Sequence, residues 1–311
     1  MPSKEQSATG PDAELGCAGR WRWTVKRCAR PATGSTLSTC WVSSITPTGV
    51  VLAQIDVDEK TNEIPPFSKV LDQIPDITDV VITVDAMHAQ TAHAEYLHNR
   101  GAHLLVTVKG NQPGLHAKLK ALPWTEIPIG HTATGRGHGR IEKRTLKAVT
   151  VPAGLGFPHA AQAIQIIRTS RPISKDNKTK RHKRRPRREL VYAICTLTAQ
   201  DAQPAELAAW AKGHWAIENR LHWVRDVTLG EDLHQARTGS GPQVMAALRN
   251  LVISLLRFAG HTNIARALRQ HARHPHRAIS LVTSATRQRN DPVADWVAAP
   301  PNRRWCSYSV A

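Results

Sequence analysis

From Val50 onward the apolar and polar positions fall into an ordered series of strand and helix signatures. VVLAQIDVD (50–58) alternates apolar and polar residues, the period of a half-buried strand, whereas FSKVLDQIP (67–75) spaces its apolar residues for one face of a helix. DVVITVDA (79–86) is a β-branched run of the kind that forms a buried strand. QTAHAEYLHNRG (90–101) reads as a helix closed by Gly101, and HLLVTVKGN (103–111) as a second buried strand ending in a turn. Strand, helix, strand, helix, strand predicts an α/β sheet with parallel pairing. Between 121 and 198 short alternating stretches such as RTLKAVTV, QAIQIIRT and ELVYAICTL are separated by Gly/Pro turns, which predicts a β-rich segment. From 202 to about 267 the chain reads helical, through PAELAAWAKGHWAIENRLHWVRDV and QVMAALRNLVISLLRFAG. The first 47 residues lack clear periodicity and read as no regular element, and the tail after 287 reads as poorly ordered. There is no internal repeat. These shifts divide the chain into 1–47, 48–120, 121–198, 199–286 and 287–311.

Composition narrows the class. With 311 residues, 41% hydrophobic and 21% charged, the chain is globular and long enough for one large domain or two ordinary ones. The longest apolar run, near Leu251 to Leu256, is far shorter than the roughly 20 residues of a membrane-spanning helix, and no signal segment opens the chain. A cytoplasmic protein with no membrane partner is expected. Five cysteines, at 17, 28, 40, 195 and 306, match neither a disulfide framework nor a metal knuckle, so reduced thiols are expected. The net charge of +18 favours a polyanionic partner, nucleic acid first, although a generically basic protein remains the alternative on composition alone. KDNKTKRHKRRPRR (175–188) concentrates nine Lys/Arg against one Asp; with Lys183, Arg184 and Arg185 at its centre it is either a DNA-contacting loop or a solvated one.

A few residues could carry chemistry. Asp85 ends a buried strand at the carboxyl edge where α/β sheets bind ligands, though an Asp there is also a common turn residue. Lys109 follows its strand as Asp85 follows its own, so both could project from one sheet edge; a plain surface lysine is the other reading. In a continuous helix Glu218 shares a stripe with His214 at i−4, His222 at i+4 and Arg225 at i+7. Trp215 and Trp223 flank that stripe, which argues for a half-buried face rather than a solvated one. Histidines 131, 138, 271, 274 and 276 lack metal-ligand spacing and read as ordinary surface residues.

The strings VITVDAMHAQ, LLVTVKGNQP, GHGRIEKRTL, GHWAIENRLHWVRDVTLGED and ALRNLVISLLRFAG, in that order, resemble the H-repeat-associated, ISAs-type branch of the DDE insertion-sequence transposases. The resemblance runs from about Thr48 to about Arg269. It implies an α/β, RNase H-like core, a β-rich insertion before the final catalytic helix, and a helical C-terminal part. It also implies phosphoryl transfer on double-stranded DNA at a two-metal site, Mg²⁺ being the expected ion. In-line cutting of a phosphodiester needs one metal to activate the attacking oxygen and another to stabilise the leaving one, with carboxylates as hard bridging ligands. Carried over by resemblance, Asp85 matches the second catalytic Asp and Glu218 the final Glu, both as metal ligands. His214 and Arg225 match the positions that flank that Glu and contact DNA, Lys109 is a further DNA-contact candidate, and Ala211 stands where the family has a tyrosine. The setting expected is the nucleoid, with a homo-oligomer or an intact transposase as possible protein partners.

The family's first catalytic Asp, in a strand followed by D-G-K-x-x-R-G, has no counterpart here. Asp56 and Asp58 do not substitute, because the family has its own acidic stretch matching 58–63. Codon logic suggests the cause. Trp23 is TGG and every threonine codon begins AC, so reading one nucleotide earlier across Trp23/Thr24 gives GAC, an aspartate. The junctions that follow permit D-G-K-(T/A)-(L/V/M)-R-G. Residues from before Arg20 to about Pro47 are therefore expected to be translated out of frame, with a divergent segment as the alternative; the extra N-terminal segment the family often carries is also expected to be lacking. Three of the nine tryptophans lie in that stretch. Two carboxylates cannot hold both metals, so this copy is expected to be inactive. The alternatives are a non-catalytic DNA-binding remnant that inhibits an intact transposase and, more remotely, a general RNase H-like nuclease.

Overall fold

A computed structural model describes residues 22–27, 39–46, 49–57, 65–137, 139–173, 186–235 and 238–287. Its centre is one sheet. β1 (Arg22–Arg27), β2 (Thr39–Thr46) and β3 (Val50–Val57) form an antiparallel meander. β4 (Val81–Val84) pairs parallel to β1, and β5 (His103–Val108) parallel to β4. β6 (His131–Gly137), β7 (Arg140–Thr150), β8 (Gln162–Pro172) and β9 (Arg187–Cys195) are antiparallel neighbours, and β9 joins the core by pairing antiparallel with β5. The resulting order is β3-β2-β1-β4-β5-β9-β8-β7-β6. The first five strands, with their directions, make the RNase H-like core; the other four are the β-rich insertion, continuous with the core sheet.

Helices cover both faces, which is why β4 is buried along its whole length. On one face Phe67, Val70 and Leu71 of α1 (Pro65–Asp72) and Leu97 of α2 (Thr91–Asn99) pack on Ile82, Val84, Leu104 and Val106. On the other, Leu207 and Trp210 of α4 (Pro204–Ile217) pack on Val81, Leu105, Leu146, Ile164 and Ile166. Alternate strand residues thus feed two cores, each side chain contributing about 1.5–3 kcal/mol by burial. α3 (Pro113–Lys120) follows β5. A third cluster joins Leu221 and Val224 to Ile253 and Leu256 of α5 (Gly241–Phe258) and to Ile264 and Ala267 of α6 (Ile264–Arg273); α7 (Pro275–Arg287) follows. Polar groups fix α5 to β3: the Val51 amide donates to Ser254 Oγ (3.1 Å) and Asn250 Nδ2 to Gln54 Oε1 (2.5 Å).

Three differences from the sequence reading have physical causes. Residues 22–27 and 39–46, which read as no regular element, are strands, and β1 lies at the middle of the core. RWTVKR and TCWVSSIT are rich in Trp, Thr, Val and Ile, which favour strands, and pairing there satisfies the backbone edges of β3 and β4. Parallel pairing holds for β1, β4 and β5 but not for β3, which two strands separate from β4. The long helix predicted from 202 breaks: α4 ends at Ile217, Glu218–His222 and Val224–Thr228 are π-helical, and Glu231–Leu233 is a 3₁₀ turn. The wider i→i+5 winding of a π-helix takes residues seven apart out of the two-turn alignment that an α-helix would give. Elsewhere α2 closes where expected, at Gly101, whose φ of +67° is one that glycine adopts without strain. The tail beyond 287 lies outside the described residues, as does most of the basic run, including Lys183, Arg184 and Arg185. Among the described residues no helix is long and apolar enough to cross a membrane.

Candidate active site

β4 ends and Asp85 follows it, at the entry to a 3₁₀ turn over Ala86–His88. The Asp85 backbone carbonyl accepts from the His88 amide (3.0 Å), while its carboxylate makes no helix-capping bond. That carboxylate is 37% exposed, and His214 of α4 meets it: Nε2 lies 3.0 Å from Oδ1, and Nδ1 lies 3.4 Å from the Thr83 hydroxyl. A carboxylate only accepts, so with a neutral ring Nε2 carries the proton toward Asp85 and Nδ1 accepts from Thr83. Both contacts follow from strand periodicity. Thr83 and Asp85 are two residues apart, hence on the same sheet face, the one α4 covers. His214 is buried, so the pair is shielded on the helix side.

Beneath the Asp85 turn lies a packed aromatic floor. Phe67 stacks on His93 (4.1 Å between ring centres) and on His88 (5.5 Å), and His93 Nδ1 is 3.3 Å from the His88 carbonyl. Burial, with His93 beside it, pushes the His88 imidazole down to about 3, with Asp85 pulling the other way. His88 is therefore neutral at physiological pH and forms part of the core. The neighbouring strand end is tied in by Asn111, whose Nδ2 donates to the Ala86 carbonyl (2.6 Å). This bond holds the VKGNQP turn, with exposed Lys109, against the Asp85 turn.

Of the site residues expected from sequence, Asp85, His214 and Lys109 are gathered at one end of the sheet. Glu218 follows His214 by four residues and opens the first π segment; its side chain lies outside the described residues. Arg225 takes a different place. It is 1% exposed, and its guanidinium makes a two-pronged pair with Glu231, Nε to Oε2 at 2.5 Å and Nη2 to Oε1. Lys183, Arg184 and Arg185 are outside the described residues. Sequence reasoning missed Thr83, His88, Asn111 and Glu231. The first was legible from its i−2 spacing to Asp85; for the other three no local signal marks the partner, because each contact joins separate elements.

The Transposase DDE domain matches residues 45–255. YbfL of Escherichia coli (strain K12) and the H-repeat-associated, transposase-named YhhI of the same strain are each 29% identical over 213 residues, covering 67% of this chain and 55% of theirs. Transposase-named YncI of Escherichia coli O157:H7 is 27% identical over 219 residues, covering 67% of this chain and 53% of its own. The chain thus matches about half the length of these relatives. A cryo-EM structure of the piggyBac transposase synaptic complex with hairpin DNA overlays with a TM-score of 0.41 at 12% identity, covering 91% of this chain and 55% of that one, a likeness too distant to carry argument.

Proposed function

Because the chain belongs to the Transposase DDE domain family, we propose that it handles the DNA ends of a bacterial insertion sequence, with Asp85 and Glu218 as the two carboxylates retained from a catalytic set of three. The observation that carries this reading is the placement of Asp85 at the end of β4, beneath the helix whose continuation begins with Glu218. Family chemistry is divalent-metal-dependent strand cleavage and transfer. Carboxylate oxygens suit Mg²⁺, yet among the described residues no group of three or more His, Cys, Asp or Glu could hold a metal. The described residues therefore supply only part of a cation site. A metal pair held there by Asp85 and Glu218 would supply activation of the attacking oxygen and stabilisation of the leaving one. The protein's own share is to hold Asp85 through His214 and Thr83 and to present Lys109, Lys183, Arg184 and Arg185 to phosphate; His214 and Arg225 act from within the fold.

A second reading, that the chain binds DNA without cutting it, has its own observation. β1 pairs in register with β4, Thr24 beside Thr83 and Val25 beside Val84, and Arg22–Arg27 contains no acidic residue. The shifted-frame aspartate would fall at Trp23/Thr24, within this strand, which supports an out-of-frame origin for the segment. The working protein is then a nucleoid-bound remnant that pairs with element ends or with an intact transposase. A plasmid-nicking assay with Mg²⁺ or Mn²⁺ tests this. The unmodified chain is expected to bind without nicking, and the chain with its reading frame restored over 20–47 to nick. Robust nicking by the unmodified chain, abolished by Asp85→Ala, would refute the loss of activity; cleavage indifferent to end sequence would favour a general nuclease. Failure to bind DNA at all would overturn both readings.

A further inference from the structure

The far end of the insertion carries a charged arrangement that the core site does not use. Cross-strand registers set Glu142 beside Ser170 and Ser170 beside Arg187, and in the next rung Arg144 beside Arg168 and Arg168 beside Glu189. Arg140 begins the strand two residues before Glu142, so it shares their face. Glu142 sits between two guanidinium groups, accepting from Arg144 Nε at 2.5 Å and from Arg168 Nε at 2.7 Å, while Arg168 Nη1 also reaches Glu189 (3.3 Å) and Arg187 Nη2 reaches the same carboxylate (3.5 Å). Burial opposes ionisation of Glu142, but the hydrogen bond from Arg168 and the charges of Arg144 and Arg168 outweigh it and hold the carboxyl below its usual range. The two glutamates thus fix Arg144, Arg168 and Arg187 in place without neutralising the group: with Arg140, four arginines share one face with two carboxylates. Arg140 has no ion-pair partner among the described residues and, with Arg168, Ser170, Arg187 and Glu189, lines a recess of about 90 Å³. That volume suits a single tetrahedral oxyanion and is well below the roughly 300–1,000 Å³ of a small-molecule site.

Topology places this recess relative to Asp85. Two residues further along the same face, Leu146 and Ile166 pack beneath α4 with Val81 and Leu105, so the arginines and Asp85 share one face of the sheet. β5 runs antiparallel to β9 with Val108 beside Tyr192, so the chain beyond Val108, at Lys109, points the same way as the Glu189 end of β9. With strands about 4.8 Å apart and a rise of about 3.4 Å per residue, Arg168 lies roughly 20 Å from Asp85, about six base pairs along a duplex.

We propose that Arg140, Arg144, Arg168 and Arg187, the last three held by Glu142 and Glu189, form a backbone-phosphate cradle that grips duplex DNA about half a helical turn from Asp85, without reading its sequence. The inference rests on the DNA reading given above. Phosphate contacts of this kind fix register and orientation on the duplex, and each releases counter-ions, so they appear in the salt dependence of binding. The test measures binding of the full-length chain to a labelled 30-base-pair duplex of arbitrary sequence across a salt series. Arg140→Ala/Arg187→Ala removes two exposed arginines and leaves the pairs of Glu142 with Arg144 and Arg168 intact. It is expected to weaken binding at least tenfold at 0.15 M salt and to flatten the log–log salt slope by about two. Arg140→Lys/Arg187→Lys, which keeps the charge, is expected to restore most of the slope. An unchanged slope in the alanine variant, with the unmodified chain binding normally, overturns the cradle alone; no binding by the unmodified chain overturns the DNA reading and the cradle with it.

Discussion

The two ends of the working face are built on opposite principles. At Asp85 one carboxylate is held by a buried imidazole, itself bonded to the Thr83 hydroxyl, above a buried floor of Phe67, His88 and His93. At the insertion tip Glu142 and Glu189 lie among arginines, with Arg168 42% and Arg187 78% exposed. In the first place orientation comes from packing and one or two directed bonds, which low dielectric strengthens. In the second it comes from several charges in water, each weak and screened by salt. A site built for chemistry needs the first kind of rigidity, and a surface that grips a polyanion needs the second kind of charge. Disturbing them should therefore give different readouts: activity and stability near Asp85, salt-dependent affinity at the tip.

The largest effect is expected at Asp85 itself. In the frame-restored chain Asp85→Asn should lower metal-dependent nicking by a thousandfold or more, about 4 kcal/mol in barrier, while duplex affinity measured without metal changes little. A parallel loss of affinity would mean that Asp85 serves binding rather than chemistry. Next is the buried pair of Arg225 with Glu231, in the segments that follow Glu218. Glu231→Ala leaves the Arg225 guanidinium, 1% exposed, without its two-pronged partner, and removing one member of a buried pair costs about 3–5 kcal/mol. Because Glu231 is itself only partly buried, a loss near 3 kcal/mol is expected by chemical denaturation, whereas a change under 1 kcal/mol would place Arg225 in water in solution. His214→Ala should then lower nicking in the frame-restored chain by 10- to 100-fold, the usual cost of losing a residue that orients a metal ligand. His214→Gln, which keeps a donor, should recover part of it; a fold-wide loss of stability with no such recovery would make His214 merely a packing residue.

The core was legible where local pattern and global fold agree. The β-branched run ending at Asp85, the helix closed by Gly101 and the strand ending at Lys109 appear within a residue or two of their expected bounds, because burial on both faces leaves a continuous apolar signal. β1 and β2 were illegible for a different reason: RWTVKR and TCWVSSIT carry strand formers but no clear face, and what makes them strands is the pairing offered by β3 and β4. The His214, Glu218, His222, Arg225 stripe assumed 3.6 residues per turn, and the π segments replace that spacing, so Arg225 ends inside the fold beside Glu231. At the insertion tip the residues were in view, but the ladder depends on which strand residues face each other, and register is set by tertiary pairing that composition does not reveal.

The smallest expected effect separates the two kinds of site by pH. Glu142 is held below the ordinary carboxylate range, so the folded chain binds a proton there less readily than the unfolded chain does. Its contribution to stability is fully present above the unfolded value of about 4.5 and is lost as the pH falls through the lowered folded value. The side chain is 25% exposed, so screening limits that contribution to about 1 kcal/mol at neutral pH, a shift of roughly 2 °C in Tm. Glu142→Gln should therefore melt slightly earlier than the unmodified chain at pH 7 and converge with it as the pH falls through the lowered folded value. It should also bind duplex DNA as tightly or slightly more tightly, since it removes a negative charge from the cradle. A Tm difference that persists unchanged into acid would mean that Glu142 stabilises the tip by packing, and that its arginines are placed by the sheet alone.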